Sequence, residues 1–109
     1  MPNVYVNAKK DLSSTSVTTL YTAPALTTAI VKSILVSEDS GNADTITVTI
    51  TDAESSPATF SVFKTKAVSA NATVELLTGP LVVQTGEALK VTAATANRLH
   101  VVASILEVS

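Results

Sequence analysis

Thr45-Ile46-Thr47-Val48-Thr49-Ile50-Thr51 alternates Thr with Ile or Val without a break. A period of two puts the aliphatic side chains on one face of an extended chain and the hydroxyls on the other, so the segment reads as a strand with one buried and one wet face. β-Branched side chains are stiff at χ1 and fit a pleated surface, which supports the same reading.

Working outward, Glu38-Asp39-Ser40-Gly41-Asn42-Ala43-Asp44 is a cluster of turn formers, and Ala29-Ile30-Val31-Lys32-Ser33-Ile34-Leu35-Val36-Ser37 ahead of it is a longer apolar strand. The two strands are expected to form an antiparallel hairpin joined by a loop of about six residues. Downstream, Glu54-Ser55-Ser56-Pro57 turns into a strand at 59–64, and Ala70-Asn71 turns into one at 73–77. Thr78-Gly79-Pro80 breaks the ladder there, because proline cannot donate and glycine weakens a strand. Short strands follow at 81–83, 88–93 and 98–108, and 16–21 supplies one upstream. About eight strands at spacings near ten residues predict an all-β, single-domain antiparallel sandwich, jelly-roll-like. No segment keeps a helical period.

Some strands look apolar on both faces. Strict alternation in 29–37 puts Ile30, Ile34 and Val36 opposite Val31 and Leu35. In 98–108 it puts Leu99, Val101, Ala103 and Ile105 on one face, and Val102, Leu106 and Val108 on the other with His100 and Ser104. A face that should be wet but carries several aliphatics is covered by a loop or buried by a partner. Val102, Leu106 and Val108 are therefore candidate interface residues, together with Val4, Tyr5 and Val6. These last three are the apolar part of the otherwise polar residues 1–15, read as an N-terminal arm or a first strand. Residues 16–109 form the sandwich domain.

Composition narrows the function. The chain is 46% hydrophobic and 15% charged, against about 25% charged in typical soluble domains. Ser and Thr take the place of the missing charge. A net charge of −2 with one adjacent lysine pair, Lys9-Lys10, argues against nucleic-acid binding. Zero cysteines exclude a disulfide framework and thiolate chemistry. The first residues lack the pattern of a signal peptide, and no apolar run approaches the roughly 20 residues of a membrane helix. The expectation is a protein made in the cytoplasm and not bound to membrane.

Candidate chemistry is sparse. His100 is the sole histidine, and spacing supplies no Ser-His-Asp arrangement for it. Asp39, Asn42 and Asp44 do not match a calcium loop and read as turn residues. Asp52, Glu54, Glu75, Glu87 and Glu107 read as solvated loop charges rather than paired catalytic carboxylates. Asn71-Ala72-Thr73 fits a glycosylation pattern but reads as a turn. Gly41, Gly79 and Gly86 are isolated, so they form no phosphate loop. Tyr5, Tyr21, Phe60 and Phe63 are the only aromatics, too few for a sugar or base platform. On a regular strand Phe60 and Phe63 cannot both point inward. No catalytic residue, metal or cofactor is expected.

Two segments carry a resemblance. Thr19-Leu20-Tyr21-Thr22-Ala23-Pro24-Ala25-Leu26-Thr27-Thr28-Ala29-Ile30-Val31-Lys32-Ser33-Ile34, and the stretch from Leu76-Leu77-Thr78-Gly79-Pro80-Leu81-Val82-Val83 through Gly86-Glu87-Ala88-Leu89-Lys90-Val91, resemble small β-sandwich virion structural proteins of tailed bacteriophages. The resemblance spans about residues 18–106 and rests on turn and strand grammar. It implies a non-enzymatic particle component, foremost a capsid decoration (cement) protein that bridges neighbouring major capsid proteins as a homotrimer. A neck, tail or fibre component, or a carbohydrate-binding module for host recognition, is the alternative. It assigns no functional residue.

Overall fold

The computed structural model describes residues 3–109, so Met1 and Pro2 of the expected arm lie outside the described residues. Nine strands form two antiparallel sheets packed face to face, and no helix occurs among the described residues. They are β1 (Asn3–Asp11), β2 (Thr18–Thr22), β3 (Thr28–Glu38), β4 (Asp44–Thr51), β5 (Thr59–Val68), β6 (Thr73–Glu75), β7 (Leu81–Val83), β8 (Ala88–Ala93) and β9 (Leu99–Val108). One sheet runs β1-β9-β3-β6, with β7 also on β3, and the other runs β2-β8-β4-β5.

β6 pairs Leu35 to Ser37 and β7 pairs Ala29 to Val31, so the two lie end to end on one side of β3. Counted as one interrupted strand, they complete a simple rule. The first strand pairs with the last, the second with the next to last, and so on inward to β4 with β5. That is a long hairpin rolled into two sheets, the jelly roll. The interruption falls where Gly79 and Pro80 were expected to break the ladder. The Glu75 carboxylate fills part of the gap by accepting the Ile34 N–H at 2.8 Å, the Leu77 N–H at 3.2 Å and the Ser33 hydroxyl.

The rolled topology corrects the expected hairpin of 29–37 with 45–51. β3 and β4 belong to different sheets, and residues 39–43 carry the chain across. The local pattern leaves a strand's ladder partner open, and here β3 pairs with β9, β6 and β7 while β4 pairs with β8 and with the next strand, β5. The crossing loop is held by Glu38, only 2% exposed. Its carboxylate accepts the N–H groups of Ser40, Gly41 and Asn71 at 2.8, 3.1 and 2.9 Å, and the Ser40 hydroxyl.

A second correction concerns the faces of β3. The β3–β9 ladder shifts register between Val31 and Ser33, a β-bulge at Lys32. The extra residue resets the alternation, so Ala29 and Val31 before the bulge face inward with Ile34, Val36 and Glu38 after it. Ile30 and Leu35 are left facing outward. The core closes around Val31, Ile34, Val36, Val101 and Ile105 from the five-stranded sheet and Ile46, Val48, Leu89 and Val91 from the four-stranded one. Burying a Val, Leu or Ile stabilises by about 1.5–3 kcal/mol each. Shifted register also affects the two phenylalanines, which pair with Val48 and Ile50 on the same side of β4. Phe63 packs on the core, whereas Phe60, near the end of the sandwich, is 55% exposed.

Candidate interaction surface

Residues opposite one another in antiparallel ladders share a face. On the outside of the five-stranded sheet, Tyr5 lies opposite Leu106, Leu106 opposite Ile30 and Ile30 opposite Val82. One apolar row therefore crosses β1, β9, β3 and β7, with Tyr5 73% and Val82 49% exposed. A second row places Lys9, Val102, Leu35 and Glu75 side by side, and its two aliphatics are exposed. Val108, opposite Asn3 and Thr28, extends the patch at one corner.

Of the six sequence-derived interface residues, this face brings together Tyr5, Val102, Leu106 and Val108. Val4 and Val6 alternate to the other side of β1, where Val6 packs on the core and Val4 is exposed at the rim. Ile30, Leu35 and Val82 are members that sequence reasoning missed. The bulge concealed the first two, and only the ladder register shows that Val82 stands in line with them.

The outside of the four-stranded sheet is different. Thr45, Thr47, Thr49 and Thr51 alternate outward along β4 as the sequence predicts. Their ladder neighbours include Thr92 and Lys90 on β8 and Thr59 and Ser61 on β5.

His100 occupies the polar end of the apolar face. Its Nε2 is 3.3 Å from Asp11 Oδ1 and its Nδ1 is 3.3 Å from Asp39 Oδ2. Ser37 stands opposite His100 in the ladder, so a serine, a histidine and an aspartate share one row that spacing alone did not reveal. Both imidazole nitrogens face carboxylates, however, and the Ser37 hydroxyl pairs with Thr73 Oγ1 at 3.2 Å. In this arrangement no ring nitrogen faces the serine. The contacts join β1, β9 and the crossing loop around a shallow hollow lined by Lys9, Lys10, Asp11, His100, Val101 and Val102.

Three carboxylates expected in solvent, or not singled out, are structural. Burial pushes Glu38 up, but the Ser40 hydroxyl and the N–H groups of Asn71, Ser40 and Gly41 outweigh it and hold the carboxyl at about 2, below its ordinary 4.5. Burial also pushes Glu75 up. The Ser33 hydroxyl and the N–H groups of Ile34, Leu77 and Leu76 bring it below its ordinary value. Glu107 accepts the Tyr21 hydroxyl at 2.5 Å across the two sheets; burial first, then this carboxylate, push the Tyr21 hydroxyl well above the usual phenol range.

Asp44 begins β4 and accepts the Thr95 N–H at 3.0 Å, and Asn71 turns the chain at φ 58°. Among the described residues no group of three His, Asp or Glu side chains could hold a metal ion. Among the same residues no helix is long and apolar enough to cross a membrane. A comparison with models of known protein families finds no match, and no curated protein matches the chain.

Proposed function

We propose that this protein is a non-enzymatic structural subunit of a tailed-bacteriophage particle, a decoration protein that seats on the major capsid protein through the outer face of its five-stranded sheet. The observation that carries this reading is the row Tyr5, Leu106, Ile30 and Val82, apolar across four strands of a sheet whose outer face no other described element covers. The resemblance of residues 19–34 and 76–91 to virion proteins supplies the setting. A subunit of this kind acts as a staple. Its binding free energy adds to the stability of the shell by mass action, and many copies bound at once let each contact be modest.

Neck or tail placement would use the same face on a different partner. A carbohydrate module is less well supported, because Tyr5 is the only aromatic on this face and Phe60 belongs to the other sheet. Co-sedimentation with phage capsids tests the reading. The wild-type chain is expected to pellet with capsids, and Leu106→Asp to weaken binding about thirtyfold or more, the scale of a central interface residue. Equal binding by the folded variant, or none by the wild type, overturns it.

A further inference from the structure

Among the described residues the two sheets have four edges, and three are blunted against pairing. β5 carries Lys64 and Lys66 around Thr65 at φ 49° and shifts register against β4. β2 is five residues long and bulged. β6 and β7 are three residues each with a break between them. The fourth edge, β1, runs nine residues against β9 without a register shift. Its lysines sit only at the far end, so Asn3 to Ala8 form an uncharged, open edge.

The backbone phase of that edge follows from its inner ladder. The Leu12 N–H donates to the Leu99 carbonyl at 3.0 Å, and the Leu12 carbonyl accepts the Asn97 N–H at 2.9 Å. Leu12 therefore turns its backbone groups toward β9, and by alternation so do Lys10, Ala8, Val6 and Val4. Asn3, Tyr5 and Asn7 turn theirs to the free edge. Asn3-Val4-Tyr5-Val6-Asn7 also reads the same in both directions.

We infer that β1 pairs antiparallel with β1 of a second copy about a two-fold axis at Tyr5, joining the two five-stranded sheets edge to edge. The palindrome then sets Tyr5 against Tyr5, Val4 against Val6 and Asn3 against Asn7. The residues with free backbone groups fall in hydrogen-bonded pairs, and the valines fall in the closer non-bonded ones. Lys9, Lys10 and Asp11 lie past the overlap, so no lysine opposes another. A self-complementary edge is isologous and closes as a dimer, whereas a trimer through it needs two different surfaces. The two apolar rows also merge into one stripe centred on the tyrosine pair. The inference does not rest on the particle reading, since it concerns the edge and not the face.

The test uses the whole chain. Light scattering at micromolar concentration is expected to give twice the chain mass. Asn7→Pro removes an outward N–H on an edge strand and is expected to raise the dissociation constant at least about tenfold while leaving the apolar row intact. Because the chain has no cysteine, Tyr5→Cys is expected to form a disulfide-linked dimer on oxidation, with Cα separations near 5.5 Å across a hydrogen-bonded pair, and Val6→Cys is not. A monomeric or trimeric wild type, a folded Asn7→Pro chain that dimerises as before, or cross-linking at Val6→Cys in place of Tyr5→Cys overturns the inference. Should Asn7→Pro fail to fold, the cysteine pair decides. A chain that dimerises without binding capsids refutes the particle reading alone; one that binds capsids as a monomer refutes the edge pairing alone.

Discussion

The two outer faces of this sandwich are built on the same pleat but present opposite chemistry. The four-stranded sheet turns a row of half-buried threonines outward, alternating with inward Ile or Val on β4. The five-stranded sheet shows a row of Tyr5, Leu106, Ile30 and Val82. Both inner faces contribute to one apolar core, so core formation does not require the difference. An apolar outer row adds little to the isolated fold beyond its cross-strand contacts and gives up solvation, which is the pattern expected of a surface kept for contact.

The largest effect that would break this comparison comes from deleting Lys32. The bulge there keeps Ala29, Val31, Ile34 and Val36 on the core side and Ile30 and Leu35 outside. Removing it restores strict alternation and drives one half of β3 off the core. A loss on the order of 4 kcal/mol, or of the fold itself, is expected in urea unfolding, against under about 0.5 kcal/mol for Lys32→Ala. An unchanged midpoint in the deletion would show that the outer row does not depend on the bulge.

Acid should separate the sheets next. Glu38 and Glu75 both hold β3, and both have carboxyls depressed in the folded state. A depressed carboxyl binds its proton more readily in the unfolded chain, so its contribution is complete above the ordinary 4.5 and is lost as pH falls through the folded value, about 2 for Glu38. Hydrogen exchange between pH 4.5 and 2 is expected to lose protection first at Asn71, Ser40, Gly41 and Ile34, with the β4–β8 ladder retained. Simultaneous loss in both sheets would contradict this.

The smallest effect sharpens the contrast most directly. Ile30→Thr and Leu106→Thr make the two outer faces alike, and each is expected to cost about 1 kcal/mol or less in urea unfolding. A cost of 3 kcal/mol or more would mean that the row supports the fold rather than an external contact.

Much of this was legible in the chain. Thr45 to Thr51 gave its own burial pattern, and Gly79-Pro80 marked the break between β6 and β7. The alternation in β9 placed Leu99, Val101, Ala103 and Ile105 inward and Val102, Leu106 and Val108 outward. The rest depends on register. One inserted residue at Lys32 reversed the faces of half a strand, and no local signal marks it. The expected hairpin failed because β3 pairs with β9, β6 and β7, whereas β4 makes its hairpin with the following strand, β5, and takes β8 on its other side. Tyr5, Ile30 and Val82 could not be aligned with Leu106 before those ladders were known. Glu38 read as one of a cluster of turn formers and Glu75 as a loop charge, because their N–H donors, Asn71 for the first and Ile34 for the second, are distant in sequence and are brought near only by the fold.

The pairing of Asn3 with Val108 has a kinetic consequence. Among the described residues β1 has its only ladder with β9, so β2 through β8 must all be made before β1 has a partner. Closing so long a loop is slow, and until it closes β9 and β3 also lack their final arrangement. During that interval the uncharged Asn3 to Ala8 segment is exposed on both of its edges, which makes chains truncated before β9 the species most prone to aggregate.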